Sequence, residues 1–185
     1  MEGRVQIKEG ILDVAKQMPS PNCDKRPENR ITLVVIHCIS LPLGHFGNSY
    51  VEALFCNQLK GTEHKDFCDL PGLKVASHLF IRRDGEVIQF VPFHKRAWHA
   101  GVSSFQGREN CNDFSVGIEL EGTDTGLYTD KQYEILRQIC SIMCALWSLD
   151  KHAIVAHSDI APGRKTDPGT GFNWNLLLDN LRIEA

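Results

Sequence analysis

The sequence predicts a mixed α/β protein, with a central mixed β-sheet flanked by helices. Two nearly continuous apolar runs, residues 32–37 and 153–156, are typical of strands that are buried on both faces. Two β-rich runs flank Asp84-Gly85, which is the strongest short signal of an antiparallel hairpin. A long helical pattern covers residues 129–149. Because a hairpin is embedded among alternating strands and helices, a mixed sheet fits better than a purely parallel one.

Composition favours one soluble domain over residues 1–185, since 42% of the residues are hydrophobic and 23% are charged. The net charge of -3 gives no basic excess for nucleic acid. No apolar run approaches the roughly 18 residues that a membrane helix needs, and the N-terminal stretch lacks the apolar centre of a signal peptide. We therefore expect a cytoplasmic monomer without nucleic-acid or membrane partners. The odd number of cysteines, 7, without a CxxC pair, indicates reduced thiols.

The remaining segments are assigned from local patterns. Residues 1–30 are polar and rich in turn residues, which predicts an entry segment and loop. Residues 49–59 have helical spacing, with Ser49 as the expected N-cap. Residues 60–73 show no periodicity, and residues 92–113 predict a long loop or a short extended segment. A short amphipathic helix is expected at 173–183.

The stretch from residue 114 to 121 alternates between apolar and polar residues, as a strand with one buried face does. The polar face carries Glu119 and Glu121. One interpretation is a catalytic carboxylate, and the other is a strand face that simply meets water. The apolar face is predicted to contain Phe114, Val116, Ile118 and Leu120.

The first apolar run ends at His37, and His157 directly follows the second. Ligands gather outside strand ends in open sheets, so the two imidazoles are candidates for one site. Asp167 follows on a turn-rich loop that contains Pro162-Gly163, and it would complete a three-ligand zinc site with an open fourth position. A core histidine followed by a solvated loop explains His157 equally well when that stretch is taken alone.

The same loop carries Lys165, two residues before Asp167. On an extended loop both side chains project to one side, so an ammonium group would lie near the metal and could stabilise an oxyanion. An ordinary exposed lysine is the alternative. Glu119 is the natural general base for a water that attacks a carbonyl.

Other histidines are open to two interpretations. His99, which follows Trp98, is either part of a substrate cleft or a packed, hydrogen-bonded residue, whereas His78 is better explained as a core histidine. His152 precedes the strand and lies at the end away from the site. The sequence contains neither a serine-nucleophile motif nor a glycine-rich phosphate loop.

Four blocks, in order, carry a specific resemblance: VVIHCISLP, SHLFIRRDGEVIQFVPFHKRAWHAG, GRENCNDFSVGIELEGTD and AHSDIAPGRKTDPG. Together they span about residues 30–175, and they strongly resemble the zinc-dependent N-acetylmuramoyl-L-alanine amidases, most of all the cytoplasmic AmpD type. The resemblance implies the mixed-sheet fold shared with peptidoglycan recognition proteins. It also implies cleavage of the amide between (1,6-anhydro)-N-acetylmuramic acid and L-alanine, in recycling of cell-wall fragments.

For individual residues, the resemblance implies that His37, His157 and Asp167 bind one Zn²⁺, with Glu119 and Lys165 catalytic. The anhydro-muropeptide is the implied substrate. A cell-lytic amidase acting on intact peptidoglycan, or a non-catalytic muropeptide-binding module, would share the fold. Candidate substrate contacts are Cys38, Lys74, Trp98, His99, Arg108 and Asn110.

Three of these positions depart from the family pattern. Cys38 stands where asparagine is frequent, and Lys74 and Asn110 stand where arginine is expected. Lysine and asparagine cannot grip a carboxylate through two parallel hydrogen bonds as arginine does. Recognition of the stem peptide is therefore expected to differ, while the metal site is not affected.

Overall fold

The structure is a computed structural model that describes residues 5–179 and Leu181. Its strands are Ile7–Lys8 (β1), Ile11–Leu12 (β2), Lys16–Gln17 (β3), Cys23–Lys25 (β4), Leu33–Ile39 (β5), Leu79–Ile81 (β6), Val87–Gln89 (β7), Lys95–Ala97 (β8), Ser104–Phe105 (β9), Arg108–Glu109 (β10), Ser115–Glu121 (β11) and Ile154–Ala156 (β12). Its α-helices are Tyr50–Phe55 (α1), Asp130–Trp147 (α2), His157–Ile160 (α3) and Trp174–Leu178 (α4). Short 3₁₀ turns lie at Lys65–Phe67, Cys111–Asp113 and Lys151–Ala153.

The central sheet has the strand order β12-β5-β11-β6-β7-β3 in the described part of the chain. Strands β12, β5, β11 and β6 run parallel to one another. Strand β7 is antiparallel to β6, across the Asp84-Gly85 turn, and β3 is parallel to β7 at the edge. The prediction of a mixed sheet with an embedded hairpin is therefore confirmed.

Helix α2 covers one face of this sheet. Its first turn is held by reciprocal hydrogen bonds: Thr129 Oγ1 accepts from the Gln132 amide at 3.2 Å, and the Gln132 side chain accepts from the Thr129 amide at 3.1 Å. Apolar residues of the helix meet those of β5 and β11 in one core cluster, and each fully buried large side chain contributes about 1.5–3 kcal/mol. The cluster includes Val34, Ile36, Val116, Ile118, Leu120, Leu136, Ile139, Cys140, Met143 and Cys144.

The opposite face of the sheet is covered in two parts. Phe80 and Ile88 pack with residues of α1, such as Leu54. Leu33 and Val35 of β5 pack with a second set, Ala100, Cys111, Phe114, Val155 and Ile160. Because both faces are covered, the functional groups of β5 and β11 can reach solvent only near the carboxyl ends of these strands.

Several expectations for individual elements are wrong. Residues 1–30 contain strands β1 to β4, and β3 joins the central sheet. Phe114 precedes β11 and packs on the face opposite Val116, because the alternation begins only at Ser115. Ser49 occupies the N-cap position of α1 without a side-chain hydrogen bond, and that helix ends at Phe55.

Two further findings concern the ends of the chain and its helices. Helix α4 covers 174–178 of the helix expected at 173–183, of which residues 180, 182 and 183 lie outside the described residues. Among the described residues, no helix has the length and apolar character needed to cross a membrane.

All seven cysteines are free thiols, as the sequence indicated.

Candidate active site

Two neighbouring parallel strands deliver the two histidines. His37 lies in β5, and His157 is the first residue of α3, directly after β12. Ala156 is the register partner of Ile36, so the next residue of each segment lies beside the other. Strand β5 was expected to end at His37 but continues to Ile39. Strand β12 was expected to end at His157 but ends at Ala156.

Asp167 reaches the same point from the loop that follows α3. The Ser158 amide donates to the Asp167 carbonyl at 3.1 Å, which ties the returning loop to the start of the helix. Asp167 Oδ2 lies 3.1 Å from His37 Nδ1 and 3.0 Å from His157 Nδ1, and the two Nδ1 atoms are 2.9 Å apart. The three predicted ligands are therefore together in space, although two of them are separated by most of the chain.

Both histidines are buried, with 1% and 3% of their surface exposed. Burial lowers the pKa of His37 to about 4, so its imidazole is neutral near pH 7. The Nε2 atom of His157 lies 3.1 Å from the Ala100 carbonyl oxygen, and that of His37 lies 2.9 Å from His99 Nδ1. Each ring thus has a partner on its outer nitrogen and turns Nδ1 toward Asp167, an arrangement that can hold a metal ion.

Glu119 lies beside these groups, because it is the register partner of His37 on β11. Its Oε2 atom is buried and has no hydrogen-bond partner among the described residues. Burial and the Asp167 carboxylate raise the pKa of Glu119 well above 4.5, and Lys165 opposes this shift. A carboxyl group with a raised pKa can both accept and return a proton near neutral pH.

Glu121 shares this face of β11 but has a different environment. It is 4% exposed, and its two carboxylate oxygens accept hydrogen bonds from the amides of Gly47 at 2.6 Å and Arg83 at 3.1 Å. Arg82 adds an ion pair at 3.5 Å. The interpretation of this face as a solvated surface is therefore wrong for Glu121, whose role is to hold the surrounding loops.

Lys165 is exposed on the loop before Asp167. Its charge acts on both Glu119 and His37, which places the ammonium group within electrostatic reach of the site. It also lines a cleft of about 460 Å³, a volume in the range of small-ligand sites. Other residues that line the cleft are Asp124, Thr125, Ser158, Thr166, Gly169 and Trp174.

Two more histidines lie behind His37. The His99 ring meets the His37 ring edge-on, with 5.0 Å between centroids, and its Nε2 atom lies 3.1 Å from Ser115 Oγ. Both ring nitrogens of His99 are thus engaged by protein atoms. His78 is fully buried and accepts a hydrogen bond from the Gly117 amide at 3.1 Å, so it is a core histidine as the sequence favoured.

Cys38 and Trp98 were also candidates for substrate contacts. Cys38 packs against the cluster under α2, on the face of the sheet away from Glu119. Burial raises the pKa of its thiol to about 12. This placement argues against a contact between Cys38 and a substrate. Trp98 is partly buried, and its carbonyl accepts from the Ala76 amide at 3.1 Å.

The three remaining candidates lie on or near the surface. Arg108 pairs with Glu28 at 3.0 Å, and its guanidinium lies 4.0 Å from the centroid of the Phe114 ring. Lys74 and Asn110 are exposed, which leaves their side chains accessible to a ligand.

Sequence reasoning missed two residues that surround His99. Ser115 contacts its ring, and Asn112 Oδ1 accepts from the His99 amide at 3.1 Å. The alternation of β11 puts Ser115 on the same face as Glu119, so that pattern could have identified it. No local pattern marks Asn112, because its function depends on a turn whose shape the sequence does not reveal.

Comparison with known proteins identifies the family. Residues 27–170 match the family model described as N-acetylmuramoyl-L-alanine amidase. The chain belongs to that family. It is similar to the 1,6-anhydro-N-acetylmuramyl-L-alanine amidase AmpD of Citrobacter freundii, with 50% identity over 169 residues that cover 91% of this chain and 90% of that protein. The prediction of an N-acetylmuramoyl-L-alanine amidase is therefore confirmed.

Solved structures agree with this assignment. A crystal structure of a selenomethionine AmpD derivative superposes with a TM-score of 0.91 and 48% identity, covering 93% of this chain and 97% of that one. The Escherichia coli amidase AmiD, in complex with the substrate anhydro-N-acetylmuramic acid-L-Ala-D-gamma-Glu-L-Lys, has a TM-score of 0.60 and 26% identity. That match covers 95% of this chain and 65% of the AmiD chain. The predicted amidase fold is confirmed.

Proposed function

We propose that residues 1–185 form one amidase domain that hydrolyses the amide between 1,6-anhydro-N-acetylmuramic acid and the L-alanine of the stem peptide. One Zn²⁺ would be held by His37, His157 and Asp167. The observation that carries this proposal is the convergence of these three side chains beside Glu119, whose buried Oε2 atom has no hydrogen-bond partner within the described part of the chain. The names of the AmpD relatives support the anhydro-sugar substrate.

The donor set suits zinc. Two neutral imidazole nitrogens and one carboxylate oxygen are the ligand types of catalytic zinc sites, which keep one position open. Ligands about 2.0–2.1 Å from a tetrahedral ion are roughly 3.3 Å apart, and the three atoms here lie 2.9–3.1 Å from one another. When bound, zinc would polarise the scissile carbonyl as a Lewis acid and increase the acidity of a water molecule.

Glu119 would move the proton in this reaction. Its carboxylate accepts a proton from the attacking water and then delivers it to the alanine nitrogen as the amide breaks. The burial that raises the pKa of Glu119 favours this second step, since a carboxyl group with a low pKa would not hold the proton.

Lys165 would stabilise the negative charge that develops on the carbonyl oxygen. Lys165 is exposed at the cleft and its charge already acts on Glu119, so its ammonium group can face a substrate. The residues that line this cleft include neither the three proposed ligands nor Glu119, so we place the scissile amide beside Glu119 and those ligands and not in the cleft itself.

Recognition of the stem peptide is assigned to side chains that remain accessible. Lys74 and Asn110 are exposed and can each offer a donor to a peptide carboxylate or carbonyl, and Trp98 offers a partly exposed ring. Arg108 would first exchange its ion pair with Glu28. We place the reaction in cytoplasmic recycling of cell-wall fragments, with the protein acting as a monomer.

One experiment separates this function from its alternatives. Purified protein is given either a soluble anhydro-muropeptide or intact peptidoglycan sacculi, with and without a zinc chelator. We expect rapid release of peptide from the soluble fragment, little from sacculi, and loss of activity that added zinc restores. Preference for sacculi would indicate a cell-lytic amidase. Binding of the fragment without cleavage would indicate a non-catalytic module.

A further inference from the structure

A chain of hydrogen bonds runs from a backbone carbonyl to the metal-facing side of His37. It begins at Ser115, whose Oγ lies 2.6 Å from the Cys111 carbonyl oxygen. Because a carbonyl has no hydrogen to donate, the serine hydroxyl must donate there. Ser115 Oγ then accepts from its other neighbour, His99 Nε2, at 3.1 Å. A neutral imidazole carries one hydrogen, so His99 Nδ1 is left as an acceptor.

This acceptor determines the tautomer of His37. His99 Nδ1 lies 2.9 Å from His37 Nε2, so the hydrogen of His37 must be on Nε2. The lone pair of His37 Nδ1 then points to His157 and Asp167. His157 has the same tautomer, because its Nε2–H donates to the Ala100 carbonyl oxygen and leaves the lone pair on Nδ1. Both metal-facing nitrogens are thereby in the form that binds a cation.

The His99 ring is held closely in this position. A Cβ atom at residue 117 would lie 2.5 Å from both Cγ and Nδ1 of His99, so Gly117 is required for the ring to lie on β11. The backbone is fixed as well, because Asn112 Oδ1 accepts from the amides of His99 at 3.1 Å and Ala100 at 2.8 Å. One side chain therefore anchors the partners of both histidines.

We propose that His99 is a positioning residue for the metal centre, which holds His37 in its metal-binding tautomer through the relay from Ser115, and is not a substrate contact. This inference rests on the proposed zinc function. Residues that fix the outer nitrogen of a metal-bound histidine typically contribute about 10–100-fold to metal affinity. The relay contributes in this way although none of its members touches the metal or the substrate.

The first test compares two substitutions at residue 99. His99→Phe keeps a ring but has no acceptor, whereas His99→Asn places an amide oxygen near the position of Nδ1. Zinc affinity is measured by competition with a chelator, alongside kcat and KM at saturating zinc. We expect about 10–100-fold weaker zinc binding for His99→Phe, partial recovery for His99→Asn, and little change in KM. His152→Ala, at an exposed histidine, is the control.

Two results would overturn the proposal. One is an unchanged zinc affinity in His99→Phe together with a raised KM, which is the behaviour of a substrate contact. The other is equal zinc affinity in the Phe and Asn variants, which would mean that a hydrogen-bond acceptor at this position does not affect the metal site. If the unsubstituted protein does not bind zinc, the proposed function fails instead.

The second test reads the tautomer directly and needs neither zinc nor activity. The ¹⁵N shifts of His37 are recorded at pH 8 in chelator-treated protein, in the unsubstituted chain and in Ser115→Ala. We expect the hydrogen on Nε2 in the unsubstituted protein and a mixture of tautomers in the variant. A hydrogen on Nδ1 in the unsubstituted protein, or an unchanged spectrum in Ser115→Ala, would contradict the relay.

Discussion

Glu119 and His37 are register partners on the parallel strands β11 and β5. Residues in register on adjacent strands present their side chains on the same face of a sheet. The carboxylate is therefore held beside a proposed metal ligand by the backbone hydrogen bonds of the sheet centre. The position of the Glu119 carboxylate does not depend on the conformation of a loop. A substitution at Glu119 can therefore change proton transfer while the proposed metal ligands stay in place.

This arrangement leads to a prediction for Glu119→Gln. We expect the variant to keep zinc and thermal stability but to lose at least about a hundredfold in kcat, because the amide cannot accept the proton of the attacking water. The buried Oε2 atom of Glu119 has no hydrogen-bond partner among the described residues, so the substitution costs no hydrogen bond at that atom. The measurements are peptide release by chromatography, metal content and the melting temperature. Turnover at the normal rate would show that Glu119 has another role.

Glu121→Gln is the matched control, two residues along the same face. Its carboxylate accepts from two backbone amides and pairs with Arg82. We expect a loss of about 1–3 kcal/mol in the free energy of unfolding, because hydrogen bonds to a buried charged group are weakened. The kcat of the folded fraction should stay near normal. A hundredfold fall in kcat here would mean that the carboxylates of this face act together.

A second prediction concerns the ligands. His157→Ala should bind zinc at least about a hundredfold more weakly, because two protein ligands cannot replace a set of three. Activity should be lost with the metal and should return only in part at millimolar zinc. The exposed His152, five residues earlier, gives the control variant His152→Ala, which should match the unsubstituted protein in metal content and rate. Equal zinc content in the two variants would exclude His157 as a ligand.

Local patterns in the sequence explain what could be predicted well. Apolar runs that lead to His37 and His157, and the alternation around Glu119, are local signals, and they determine which side chains share a sheet edge. The hairpin at Asp84-Gly85 is local in the same sense. The loop return to Asp167 could be proposed because Pro and Gly mark the turn between it and His157.

The structure differs from the predictions where long-range contacts override local patterns. Strands β3 and β4 are short and pair with the distant strands β7 and β8, whereas β1 and β2 pair only with each other. Asn112 and Arg26 act on backbone groups that are distant in sequence, so no spacing rule identifies them. Phe114 shows the same limit, because a 3₁₀ turn before β11 resets the alternation by one residue.

Arg26 provides a third prediction, on stability. It is 1% exposed, and its guanidinium donates to carbonyl oxygens at 2.8–3.3 Å in two stretches of the chain, 93–95 and 112–115. These acceptors are Phe93, Lys95, Asn112, Asp113 and Ser115. Arg26→Met should leave several of them unpaired and cost at least about 3 kcal/mol. In a protein of this size that corresponds to a fall in Tm of roughly 6–12 °C.

The control for this substitution is Arg30→Met, at an exposed arginine four residues later. Its effect should stay within about 0.5 kcal/mol, as surface substitutions usually do. Both variants are compared by urea denaturation, which measures the free energy of unfolding. A loss below 1 kcal/mol for Arg26→Met would show that water replaces the guanidinium at these carbonyls.

The last prediction concerns pH and His78. Burial, together with the charge of Arg26, lowers the pKa of His78 to about 3, against about 6.5 in an unfolded chain. Between these values the unfolded state binds a proton that the folded state excludes, so stability falls as the pH drops, by up to about 1.4 kcal/mol per pH unit. The free energy of unfolding of His78→Gln, measured by urea denaturation, should therefore depend less steeply on pH between pH 6 and pH 4. His94→Gln, at an exposed histidine, is the control for the substitution itself. Because the carboxylates and the metal contribute equally to all three proteins, identical slopes for His78→Gln and the unsubstituted chain would show that His78 takes up its proton in the folded state.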